Sequence, residues 1–261
     1  MTDEAPKDIE RKRFQPVPVR YLLPNLITLL ALCSGITAIR FAIEGRTEIA
    51  VGGIILAIVL DAMDGRLARY LNGTSRFGAE LDSLADFVNF GVAPALMLYF
   101  GALSSLKTFG WVVCLMLAIS GALRLARFNV ALDDPNKPAW AGAFFTGVPA
   151  PAGALLSLSP LYYQFLGIYN DAHDHAKFAA AFVVLVAFLM ISRVPTFSGK
   201  TLNRVPREAV LPILAMMALG VLFLVSYPWE SLALVALVYL LLIPFSIYAY
   251  RKRKAGDKAQ K

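Results

Sequence analysis

The chain has 261 residues, of which 58% are hydrophobic and 16% charged, and its mean hydropathy is +0.62. That balance excludes an ordinary soluble domain and points to an all-α integral membrane protein. The net charge of +7 does not indicate nucleic-acid binding, because the basic residues are spread over helix ends and tails instead of lining a soluble groove.

Taken in chain order, residues 1–20 are polar and mixed in charge, so they read as an N-terminal segment and not as a cleaved signal peptide. Apolar stretches long enough to span a bilayer then recur at about 22–43, 48–69, 79–102, 108–129, 148–168, 177–196, 208–227 and 229–250. Together they make one membrane domain, residues 21–250, followed by a basic, disordered tail at 251–261. Cys33 and Cys114 fall inside spans without metal-ligand spacing and read as small packing residues.

The basic residues set the orientation. With both termini cytoplasmic, all but four of the 25 lysines and arginines fall on the cytoplasmic side; Arg40, Arg46, Lys107 and Lys177 remain for the other. This is a positive-inside bias. It places the loop between the second and third spans at the cytoplasmic face.

That loop is flanked by four carboxylates, Asp61, Asp64, Asp82 and Asp86. A charged group within a bilayer costs about 2.5–3.5 kcal/mol even on insertion scales, so intramembrane acids mark a functional site by default. Asp61 and Asp64 are three residues apart and Asp82 and Asp86 four, so each pair shares a helix face. Two facing helices then offer four hard oxygen donors to one centre, which suits Mg²⁺ or Mn²⁺. Gly65 and Gly78 lie beside the acids although glycine in a helix costs about 1 kcal/mol against alanine, which indicates close approach by a ligand or by backbone. Small Ala68 widens the same groove, and Arg69 is placed either to meet a phosphate or to reach the headgroups.

Further along, Arg124 and Arg127 share a face at the end of the fourth span, with Asn129 beyond them. Their guanidinium forks suit a phosphate or a carboxylate, or lipid headgroups. The run from Phe144 to Ala152 opens the fifth span with a Gly/Pro turn, and Ser192 to Lys200 closes the sixth. His173 and His175 read as a loop pair: the residue five after Lys177 is Phe182, so a His-x-Lys-x4-Asp phosphotransfer motif is not completed.

The run Asp61-x2-Asp64-Gly65-x2-Ala68-Arg69-x8-Gly78-x3-Asp82-x3-Asp86 resembles the signature of the CDP-alcohol phosphotransferases at every specified position. Pro24-Asn25 to Thr28, the RLARFN run ending at Asn129 and the SRVPTFS run ending at Ser198 further resemble the membrane-integral phosphatidylserine synthase group of that family. The resemblance implies a helical membrane core, CDP-diacylglycerol and L-serine as substrates, and a divalent metal cofactor, Mg²⁺ or Mn²⁺, as two ions. It implies that Asp61, Asp64, Asp82 and Asp86 ligate metal and that Asp86 also acts as general base. Asp61, Gly65, Ala68, Arg69 and Gly78 would bind the CDP moiety; from charge and location, not from the resemblance, Arg124, Arg127 and Asn129 are the candidates for the acceptor carboxylate or the lipid phosphate. A homodimer in a bacterial or archaeal-type cell membrane, with the site on the cytoplasmic face, completes the expectation. Other readings stay open: a relative taking glycerol 3-phosphate, inositol phosphate or choline, a membrane prenyltransferase, or a cation transporter using the carboxylates as an ion path.

Overall fold

A computed structural model describes residues 19–132, 143–198 and 207–259. Most of the N-terminal segment and the basic residues Lys137, Lys200, Arg204 and Lys261 lie outside the described residues. Helix α1 spans Val19–Ile43 and α2 Thr47–Tyr70. Helix α3, Arg76–Phe87, continues through a π-helical turn (Val88–Val92) into α4, Ala93–Leu98, and through a second (Tyr99–Leu103) to a 3₁₀ turn ending at Leu106. Helix α5 is Thr108–Leu132, α6 Ala150–Ser157, α7 Ser159–Phe165, α8 Ala176–Ile191, α9 Arg207–Ser226 and α10 Pro228–Ala259.

Six helical stretches among the described residues are long and apolar enough to cross a membrane. The other two expected spans fall outside that set for physical reasons. Helix α2 carries Asp61, Asp64, Arg66 and Arg69, and the expected span at 148–168 is broken into α6 and α7, with Pro160 in the first turn of the second piece. Two ends also differ from expectation. The sixth span stops at Ile191 and turns into a short strand, and α10 stays helical to residue 259 where a disordered tail is expected.

Helices α1 and α2 lie side by side, and Ser34 Oγ donates to the Gly53 carbonyl at 2.7 Å. In a bilayer, where apolar faces gain little from meeting one another, such interhelical bonds and close small-residue contacts hold helices together. The core is a continuous cluster that includes Ile54, Phe90, Met97, Leu117, Leu161 and Met190, all fully buried. Cys114 packs in it, whereas Cys33 is exposed on the outer surface and does not serve as a buried packing residue.

Strands β1 (Phe144–Thr146) and β2 (Pro195–Phe197) pair antiparallel, with Phe144 opposite Phe197 and Thr146 opposite Pro195. The two phenylalanine rings stack at 5.7 Å, and Tyr250 of α10 meets Phe144 edge-on at 5.4 Å. Helix α10 therefore closes over this ribbon. At the opposite end of the bundle, Ser104 Oγ lies 3.0 Å from His173 Nε2, and His173 Nδ1 lies 2.8 Å from Asp171 Oδ1. The histidine thus ties two interhelical loops, as a loop pair should.

Candidate active site

Helix α2 ends in a turn in which the Leu71 amide donates to Leu67 and the Gly73 amide to Ala68, with Asn72 in the left-handed region at φ 49°. Ser75 then caps α3, its hydroxyl accepting from the Gly78 amide at 3.0 Å. This short reversal brings the last turns of α2 against the first turns of α3. One carboxylate oxygen from each of Asp61, Asp64 and Asp82 lies within 4.8 Å of the other two. Asp86 stands outside that trio, but its carboxyl contacts that of Asp61 and faces the Arg124 guanidinium.

A third helix completes the centre. Thr28 on α1 donates its hydroxyl to Asp64 Oδ2 at 2.6 Å, and both residues are buried. Sequence reasoning notes Thr28 within a motif but gives it no role in the site; a hydroxyl one turn after Pro24 in an apolar span is the available signal. Three carboxylates this close repel one another by roughly 3–4 kcal/mol per pair at an effective dielectric constant near 20. Arg66 and Arg69 are exposed, and neither forms an ion pair with these carboxylates among the described residues. Offsetting that repulsion takes protons or a cation, and an all-oxygen, all-carboxylate donor set fits a hard divalent ion.

Beside the trio a cavity of about 360 Å³ opens between α1, the end of α2 and the start of α3. Asp64, Gly65, Ala68, Arg69, Gly78 and Asp82 line it, together with Thr28, Thr74 and Ser75. Four of the five residues expected to bind the CDP moiety are thus assembled in one wall; Asp61 is in the carboxylate trio and not in that wall. The two glycines serve different ends. A Cβ on Gly65 would meet nothing within 4 Å, so its absence leaves ligand space. A Cβ on Gly78 would lie 2.8 Å from Asn25 Oδ1, so here glycine lets α3 approach α1.

The three residues expected at the acceptor separate. Arg124 is buried, lies over the Phe128 ring at 5.3 Å and faces Asp86, and its Nε has no partner among the described residues. Arg127 Nη1 donates to the Ser192 carbonyl at 3.2 Å, and Asn129 Nδ2 donates to Ser83 Oγ at 2.9 Å. Arg127 ties α5 to the end of α8 and Asn129 ties it to α3, while Arg124 interacts electrostatically with Asp86.

Comparison with known proteins follows the same lines. The sequence model of the CDP-alcohol phosphatidyltransferase family matches residues 21–192, and a second, CDP-alcohol phosphatidyltransferase 2, matches residues 208–244. A CDP-diacylglycerol–serine O-phosphatidyltransferase of Mycobacterium leprae is 42% identical over 241 residues, covering 91% of this chain and 78% of the relative. One from Helicobacter pylori is 35% identical over 234 residues, covering 87% and 91%. An archaetidylserine synthase of Methanothermobacter thermautotrophicus is 34% identical over 175 residues, covering 66% and 68%.

Proposed function

The chain belongs to the CDP-alcohol phosphatidyltransferase family, and from that membership we propose that it transfers the phosphatidyl group of CDP-diacylglycerol to the hydroxyl of L-serine, releasing CMP and forming phosphatidylserine. The observation that carries this reading is the meeting of the Asp61, Asp64 and Asp82 carboxylates beside the cavity lined by Gly65, Ala68, Arg69 and Gly78. Serine is what the names of the bacterial and archaeal relatives have in common, whereas their lipid parts differ. That favours serine over glycerol 3-phosphate, inositol phosphate or choline.

Asp61, Asp64 and Asp82 are the residues that would hold divalent metal, Mg²⁺ or Mn²⁺, as two ions, with Asp86 as a further donor through its contact with Asp61. Bound there, the metal supplies Lewis-acid polarisation of the diphosphate and stabilises charge on departing CMP. Thr28 fixes Asp64 in orientation. Arg69 and the open face at Gly65 receive the diphosphate and cytidine. Asp86 takes the proton from the serine hydroxyl, and Arg124 keeps the Asp86 carboxylate directed at the acceptor. The serine oxygen attacks the phosphorus that bears diacylglycerol, and the bond from that phosphorus to the CMP oxygen breaks.

The basic bias supports a centre at the cytoplasmic face, within reach of water-soluble serine, and a bacterial or archaeal-type cell membrane belongs to the same reading. A homodimer is part of the same reading. The test is CMP release by purified protein offered CDP-diacylglycerol with serine, glycerol 3-phosphate, inositol phosphate or choline in separate reactions. Release with serine alone is expected; release with another acceptor and not with serine overturns the acceptor, and cation flux without CMP release overturns the class.

A further inference from the structure

Helix α10 runs for 32 residues, Pro228–Ala259. Its apolar part, residues 228–250, is about 34 Å long at 1.5 Å per residue, enough to cross a hydrocarbon core of about 30 Å. The helix then continues through Arg251, Lys252, Arg253 and Lys254, all exposed. Four consecutive residues make about one full turn, so these cations form a collar around the helix where it leaves the apolar region. Asp257 and Lys258 further along cancel in charge, and no ion pair joins the collar to an acid among the described residues. The collar is fixed to the fold: Arg253 Cζ lies 5.6 Å from the centre of the Phe144 ring, which Tyr250 meets edge-on. Phe144 belongs to the ribbon whose second strand follows α8, and Arg193 is exposed in the turn between them. Arg127 and Asn129 tie the end of α5 to Ser192 and to Ser83, so the collar stands at the end of the bundle that holds the aspartates.

We infer that the end of α10 is a docking surface for anionic phospholipid headgroups of the surrounding bilayer, with Arg251, Lys252 and Lys254 as its contact residues and Arg253 as the residue that fixes it to the fold. The inference does not rest on serine transfer; it assigns a partner to a part of the chain that the active site leaves unused. Charge complementarity names that partner. A helix that has just crossed the hydrocarbon meets headgroups first, and each lysine or arginine near an anionic membrane surface is worth about fivefold in binding. A zwitterionic headgroup offers a phosphate to the collar but also an ammonium that the collar repels, so it gains little. The aliphatic stems of these side chains can lie along the helix and the outer hydrocarbon while the charged heads reach the phosphates. A disordered basic tail would lose conformational freedom on meeting the headgroups, whereas the helical collar presents its cations already arrayed.

The experiment equilibrates the purified full chain in detergent with equal amounts of labelled phosphatidylglycerol and phosphatidylcholine and measures the ratio of the two retained. Wild type is compared with Arg251→Gln/Lys252→Gln/Lys254→Gln, which keeps Arg253 on Phe144. Wild type is expected to retain the anionic lipid in about threefold excess or more at low salt, falling towards equality near 0.5 M salt, where exposed charges are screened. The triple variant is expected to lose at least half of that excess, and a ratio equal to wild type overturns the docking surface. A measurement that needs no variant is cross-linking of wild type by phosphatidylglycerol with a photoreactive headgroup, mapped by peptide mass. Label on the peptide holding residues 251–254 is expected, and label confined to other peptides overturns the assignment. Replacing chloride by inorganic phosphate at constant ionic strength separates the two sources of phosphate. An unchanged lipid ratio is expected, and an excess abolished by phosphate but not by chloride overturns the headgroup as the partner.

Discussion

Each of the four aspartates has its own neighbours, and these divide their work. Asp64 is held by Thr28, Asp86 is faced by Arg124, and Asp82 comes from the opposite helix. Replacing Asp86 by Asn keeps size and removes the proposed proton acceptor, so turnover is expected to fall by about 10²–10⁴-fold while CDP-diacylglycerol still binds; single-turnover CMP release beside a lipid-binding titration checks this, and near-normal turnover sinks the base assignment. Thr28→Val removes only the hydroxyl that orients Asp64. Partners behind a metal ligand typically contribute about 10–100-fold in affinity, so the Mn²⁺ needed for half-maximal activity is expected to rise by that order. A metal titration unchanged from wild type would leave Thr28 a packing residue.

Helices and turns explain why the residues meet. The α2–α3 reversal depends on Ser75 as cap and on Gly78 against Asn25, and the cavity depends on the missing side chain at Gly65. The two glycines therefore separate by experiment. Gly78→Ala is expected to lower stability by about 1–3 kcal/mol through overpacking, measured as thermal unfolding in detergent. Gly65→Ala is expected to raise the KM for CDP-diacylglycerol with unfolding unchanged. Arg127→Lys, given the bond to Ser192, should lower unfolding temperature more than it alters serine kinetics, and Arg124→Lys the reverse. The sequence makes the aspartate pairs legible because spacing alone puts each pair on one face. It does not reveal that Arg124 faces the site while Arg127 and Asn129 serve as ties. Three residues near a helix end share a stretch of chain, and only the neighbouring helices decide which of them points inward.

At the scale of the molecule, the apolar runs announce the bundle, and most helix limits fall within a few residues of those expected. The departures have physical causes. The two π-turns carry the third span on without a break in hydropathy, the fifth span breaks before Pro160, and strands of three residues are too short to show an alternating pattern. Hydropathy also hides which face of α10 is packed, since a helix rich in apolar residues reads as lipid-facing all round until its inward stripe is known. The whole arrangement joins a carboxylate centre and the cavity proposed to receive the activated lipid at one end of the bundle. Its central claim is transfer to serine at a metal-dependent site. The direct measurement is radiolabelled serine incorporation into lipid by the purified protein, counted against CMP released, before chelation, after it, and after Mn²⁺ or Mg²⁺ is restored. Equal amounts of labelled lipid and CMP, both lost with chelator and regained with metal, are the predicted result; CMP release without label in lipid, or label that persists in chelator, would contradict it.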